Sequence, residues 1–98
     1  MNSQETDKSV VTVSAAEVAK ELPPGKVSEE QFDLLMAGTS IRGPKVILAL
    51  RDHLVGGLSQ KAAWEANDVN KSQFSRRLLV LFVESRRVRK LSKFYRKG

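Results

Sequence analysis

Apolar residues recur at helical spacing in several stretches of the chain, and no strand-like alternation of useful length interrupts them. The longest pattern comes last. Phe74, Leu78, Leu81, Ser85, Val88, Leu91 and Tyr95 fall on one stripe of a helix starting near Lys71, with a break open at Ser85. Upstream, Val46, Ile47, Leu50 and Leu54 share a face behind Pro44, a residue suited to the first helical position because its missing N–H has no partner there anyway. Gly56-Gly57 stops that helix. Ser28 followed by Gln31 fits a capping box, and Phe32, Leu34, Leu35 and Met36 carry the next helix to Gly38. Ser59 caps a segment through Ala62, Ala63 and Trp64 to about Asn67. Asp68-Val69 then turn the chain, and Asn70 with Gln73 starts the final helix. Ala15 to Leu22 can form a short helix behind Ser14, with Glu17 in its first turn; Pro23, Pro24 and Gly25 end it. The pattern predicts an all-α fold: a small helical domain with a helix-turn-helix and a long C-terminal helix.

The length of 98 residues holds one hydrophobic core. Residues 1–27 read as a flexible N-terminal arm, disordered at its start and bearing the short helix. Residues 28–98 read as the helical domain, with the helix-turn-helix at 59–79 and a basic tail at 86–98. Hydrophobic residues at 41% and charged residues at 29% exclude a wholly disordered chain. Cysteine is absent, which removes disulfides, thiolate metal sites and cysteine nucleophiles. The longest apolar run, Leu78 to Val83, falls far short of the roughly 20 residues that span a bilayer. The first residues lack the layout of a signal peptide, so an intracellular protein is expected.

Charge changes the picture more than composition does. The net charge is +6, but residues 1–70 carry 7 basic and 10 acidic side chains. From Lys71 to Gly98 there are 10 basic residues and one acidic residue, Glu84. A step of this size, placed where the last helix begins, marks an electrostatic footprint for an anionic partner such as nucleic acid. A solvated basic tail is the alternative.

The segment Leu58 to Leu79, LSQKAAWEANDVNKSQFSRRLL, gives capped helix, tight turn with an apolar Val69, and capped helix. In such a unit the first helix holds the second clear of the body, and the second presents its N-terminal turns, with free N–H groups and a positive dipole end, to a groove of DNA. Asn70, Lys71, Ser72, Gln73, Ser75, Arg76 and Arg77 surround only Phe74 as an inward anchor. Asn and Gln can bind adenine bidentately, Arg can bind guanine, and Ser or Lys can take phosphates or base edges.

ELPPGKVSEEQFDLLMAGTSIRGPKVILALRDHLVGG, followed by SQKAAWEANDVNKSQFSRRL, resembles the PapB-type regulators of bacterial fimbrial (adhesin) operons. The resemblance runs from about Leu22 to Leu78. It rests on the Leu-Pro-Pro-Gly turn, the block from Lys45 to Gly57 and Asn-Lys-Ser-Gln-Phe-Ser from Asn70 to Ser75. It implies a helical transcription regulator that binds AT-rich double-stranded DNA near fimbrial promoters, forms homo-oligomers along it, and acts as activator or repressor by concentration. It also implies a place in the bacterial cytoplasm, associated with the nucleoid. Carried over residue by residue, it puts the DNA-binding unit on Ser59 to Leu78, with Gln60, Lys61 and Trp64 on the first helix and Lys71 to Arg77 on the second; Ser59 is read as a DNA contact beside Gln60 and Lys61. Gln60 stands where relatives can carry a basic residue. Trp64 stands where a small one is usual, either filling the helix crossing or facing DNA. Asp68 replaces the usual turn glycine.

Leu78 to Val83 is apolar right round the helix. Leu79, Val80, Phe82 and Val83 are read as a self-association surface, the alternative being a central helix wrapped by its own chain. Arg86, Arg87, Arg89 and Lys90 are read as phosphate or minor-groove contacts, with Lys93, Arg96 and Lys97 beyond them. A helical module that docks an acidic protein or an anionic membrane through the same residues is the competing reading. Duplex DNA is adopted, without a membrane partner or a small-molecule substrate. The single histidine, His53, and the scattered acids provide no catalytic constellation, so no enzyme, cofactor or metal is expected.

Overall fold

The structure, a computed structural model, describes residues 13–95. The expected disorder of the first residues, and Arg96 and Lys97, lie outside them. The described residues form five helices in order: α1 (Ala15–Glu21), α2 (Glu29–Ala37), α3 (Pro44–Leu54), α4 (Gln60–Ala66) and α5 (Lys71–Tyr95). Among the described residues there is no strand.

Each start has a local cause. The oxygens of Ser14, Ser28, Ser59 and Asn70 accept from the N–H groups of Glu17, Gln31, Ala62 and Gln73 at 3.1, 3.0, 3.1 and 2.8 Å. At Ser14 the Glu17 carboxylate completes a capping box by accepting from the Ser14 N–H at 3.0 Å. α3 begins on Pro44 instead, after Gly43 at φ 106.

α5 packs against all four other helices. Its Phe74, Leu78, Leu81 and Phe82 meet Phe32 and Leu35 of α2, Val46, Ala49, Leu50 and Leu54 of α3 and Ala63 of α4 in one buried cluster. The two expected glycine turns lie against each other. The N–H groups of Gly25 and Gly57 both donate to the His53 carbonyl at 3.2 Å, and the Val27 N–H donates to that of Leu54 at 3.2 Å. Gly25 (φ 74) and Gly57 (φ 84) are left-handed, and a Cβ on Gly25 would stand 3.1 Å from the Gly57 Cα. Leu22 and Val27 lie in the common core. Their burial anchors the chain between α1 and α2 to the rest.

α5 runs unbroken through Ser85, whose hydroxyl donates to Glu21 on α1 at 2.7 Å. Beyond this point the helix outruns the core. Val88, Leu91 and Tyr95, on the stripe that was buried higher up, are exposed.

Candidate nucleic-acid interface

α4 and α5 meet across Asn67–Asn70. Asp68 adopts φ 57, the left-handed conformation that aspartate tolerates better than most residues. Val69 is buried and donates its N–H to the Trp64 carbonyl at 2.9 Å. The Asn67 amide donates to Asp52 of α3 at 2.9 Å and to the Ala63 carbonyl at 2.8 Å, tying the turn to the body. Phe74 is fully buried. His53 meets its ring edge-on at 5.8 Å and Trp64 meets it tilted at 5.6 Å. Trp64 thus fills the helix crossing.

With Phe74 locked inward, the polar residues around it point out. Asn70, Ser72, Gln73, Arg76 and Arg77 line one open groove of about 270 Å³ on the first turns of α5. The Arg77 Nε is shielded from solvent and has no hydrogen-bond partner. Lys71, Arg76 and Arg77 enter no ion pair among the described residues, whereas Lys45, Arg51, Arg87 and Arg89 pair with Asp68, Glu29, Glu84 and Glu21. The groove is therefore cationic and uncompensated.

Other sequence-expected residues are placed elsewhere. The Ser59 hydroxyl oxygen caps α4. Lys61 is exposed on α4. Gln60 and Ser75 line a separate shallow hollow with Leu78, Leu79 and, from the N-terminal side, Val13, Ala15 and Val18. Of the four lower cations, Arg87 is held by Glu84 at 2.9 and 3.2 Å and Arg89 by Glu21 at 2.9 to 3.3 Å. Hydrogen bonding to these carboxylates raises both guanidinium pKa values. Arg86 lies 5.5 Å over the Phe82 ring. Lys90 is exposed without an acidic partner among the described residues.

The apolar run divides. Leu79, Val80 and Val83 are exposed and line a groove of about 390 Å³ with Gly38, Thr39, Arg76 and Glu84. Phe82 must be taken off the expected self-association surface: it is 2% exposed, packed in the core with Arg86 above it. The helix is wrapped on one side and bare on the other.

Residues 2–95 match the family described as adhesin biosynthesis transcription regulatory protein, PapB. The chain belongs to this family. It is 46% identical over 54 residues to the major pilus subunit operon regulatory protein PapB of Escherichia coli, covering 55% of this chain and 52% of that protein. It is 38% identical over 72 residues to the regulatory protein FanB of the same organism, covering 74% of this chain and 73% of that one. The match thus spans about half the length of the PapB relative. The crystal structure of E. coli FocB superposes with a TM-score of 0.73 at 38% identity, covering 83% of this chain and 97% of that chain. The all-α fold is shared with it, and the family is one of transcription regulators, not of enzymes.

Two carboxylate contacts of this PapB-family chain, one buried and one half-buried, escape a reading by helical period. Glu84, the one acid after Lys71, is 8% exposed and sits over Gly38, where a Cβ would collide with its carboxylate. Its isolation among cations was the available signal. Glu21 is the other: burial works against its charge, but hydrogen bonds from Arg89 and Ser85 and the charges of Arg89 and Arg86 outweigh this and hold the carboxyl below its ordinary value.

Proposed function

We propose that this chain is a DNA-binding regulator of an adhesin operon that reads AT-rich duplex with α4, the turn and α5 as a helix-turn-helix. The groove of Asn70, Ser72, Gln73, Arg76 and Arg77 carries this reading, because it gathers amide, hydroxyl and uncompensated guanidinium groups at a helix start. Lys61 and Lys71 flank it as phosphate contacts. The family's regulatory role, and the names of the PapB and FanB relatives, support the same partner.

In this proposal the protein works in the bacterial cytoplasm as a homo-oligomer whose copies meet through Leu79, Val80 and Val83, which share an open apolar groove. No described helix is long and apolar enough to cross a membrane. Fluorescence anisotropy on AT-rich and GC-rich duplexes of equal length, each titrated with salt, tests the reading. Tighter binding to AT-rich DNA at every salt level, with log Kobs falling by about 0.9 per phosphate contact for each decade of salt, is expected. Equal, weak binding to both duplexes that vanishes by moderate salt would overturn it.

One observation favours a second reading, a protein-docking module. Phe94 and Tyr95 are about four-fifths exposed at the end of the projecting helix, more apolar surface than phosphate contacts require.

A further inference from the structure

Lys71, Ser75, Arg86, Arg89 and Lys93 return to one side of α5 after one, three, one and one turns. This basic side is not open along its length. α1 crosses it, with Val13 and Val18 beside Ser75 and Leu79, and Glu17, Lys20 and Glu21 beside Phe82, Arg86 and Arg89. The cover is lightly held: none of the seven residues of α1 is buried, and Val18 is its only residue packed against the core. A helix of this length has little stability of its own.

Beside Val18 and the buried Leu22 that ends the helix, what fastens α1 is Glu21. Its carboxylate accepts from the Ser85 hydroxyl at 2.7 Å and from Arg89 Nε and Nη2 at 2.9 to 3.3 Å. Its side chain is 10% exposed. One hydroxyl and two guanidinium N–H groups converging on a pair of anionic oxygens is also the donor set that holds a phosphate. The surroundings are cationic beyond these donors, since Arg86 forms no ion pair among the described residues.

We propose that α1 is an autoinhibitory cover on the basic side of α5, and that Ser85 and Arg89 form a phosphate site which the Glu21 carboxylate occupies in the closed form. The inference rests on the DNA-binding reading above. A backbone phosphate of bound duplex takes the place of Glu21, α1 lifts, and Arg89 and Arg86 join the contact made by the start of α5. DNA affinity is then lowered by the work of opening the cover, and any condition that loosens α1 raises it.

The test is salt-titrated anisotropy of the full chain on one AT-rich duplex, comparing wild type with Glu21→Gln, Glu17→Gln, Arg89→Gln and the Glu21→Gln/Arg89→Gln double variant. Thermal denaturation confirms that each variant is folded. Glu21→Gln is expected to bind several-fold tighter with the log–log salt slope close to that of wild type, because both proteins make the Arg89 phosphate contact once bound. Arg89→Gln flattens the slope by about 0.9. Glu17→Gln removes the same charge from the same helix without freeing Arg89 and leaves the affinity close to that of wild type. In the Arg89→Gln background most of the gain from the Glu21 substitution is lost, since only Ser85 and Arg86 remain to be freed. Hydrogen exchange on the wild type gives a second readout: duplex speeds exchange of the Val18 to Leu22 amides while slowing that of early α5.

An unchanged affinity in Glu21→Gln, an equal gain from Glu17→Gln, a gain undiminished without Arg89, or unchanged or increased protection of α1 on duplex would each overturn the cover while leaving DNA binding intact. A wild type and Glu21→Gln that both bind no duplex would overturn the parent reading and the cover together.

Discussion

His53 and Glu84 are the ionisable side chains buried among the described residues, and each is fixed by a specific partner. The His53 Nδ1 lies 2.6 Å from the Leu58 carbonyl oxygen, which only accepts, so the proton sits on Nδ1 and the ring braces the approach to α4. Replacing His53 by Ala removes that donor and opens a space against Phe74. A loss of about 2–4 kcal/mol in urea denaturation is expected. Gly25→Ala forces a side chain into the left-handed turn against Gly57 and is expected to cost about 1–2 kcal/mol in the same assay. Glu21 makes a prediction with a sign. Its carboxyl is held below the ordinary value of 4.5, so the unfolded chain binds its proton more readily. The stability it adds is complete above the ordinary carboxylate range and is lost as pH falls through the depressed value. Between pH 6 and pH 3, wild type should therefore lose more stability than Glu21→Gln; equal losses would contradict the depressed pKa.

At the level of elements, α5 is two helices in function. Its first half is buried on one side and polar on the other, while its second half projects with Val88 and Leu91 bare. Phe74→Ala is expected to cost about 3–5 kcal/mol, whereas Leu91→Gln should lie within about 0.5 kcal/mol of wild type. Asn70→Ala, which removes the cap, should cost about 1 kcal/mol. Equilibrium denaturation orders these three. The elements were legible because their causes are local: a serine or asparagine before each capped helix, proline at the start of α3, aspartate at the left-handed turn. The side of α5 that is covered was not legible. Leu79 and Phe82 are equally apolar, and what separates them is tertiary packing, which takes Phe82 into the core and leaves Leu79 exposed; Glu21 likewise reaches Arg89 across 68 positions of sequence. The groove residues could be read from their nearness to the cap, but Gln60 and Ser75, equally polar, lie along the N-terminal segment instead.

Across the whole molecule, the charge step at Lys71 falls where α5 begins, so that the described part of the net-positive segment is one helix. Acids from the rest of the protein are spent on its lower half, Glu21 on Arg89, and its own Glu84 on Arg87. The start of the helix is left uncompensated. The bare patch of Leu79, Val80 and Val83 adjoins that start through Arg76, which lines both grooves. Leu79→Glu with Val83→Glu is expected to shift the sedimentation coefficient to that of a monomer without lowering helicity, since neither side chain is in the core. The central claim is that the first turns of α5 read DNA. Its most direct test is anisotropy of the Gln73→Ala/Arg76→Ala variant beside wild type on an AT-rich duplex at fixed moderate salt. The account predicts a loss of at least about tenfold, of the size expected when base-edge and phosphate contacts are removed together. Wild-type affinity in a folded variant would contradict it and move the DNA contact, or the partner, elsewhere.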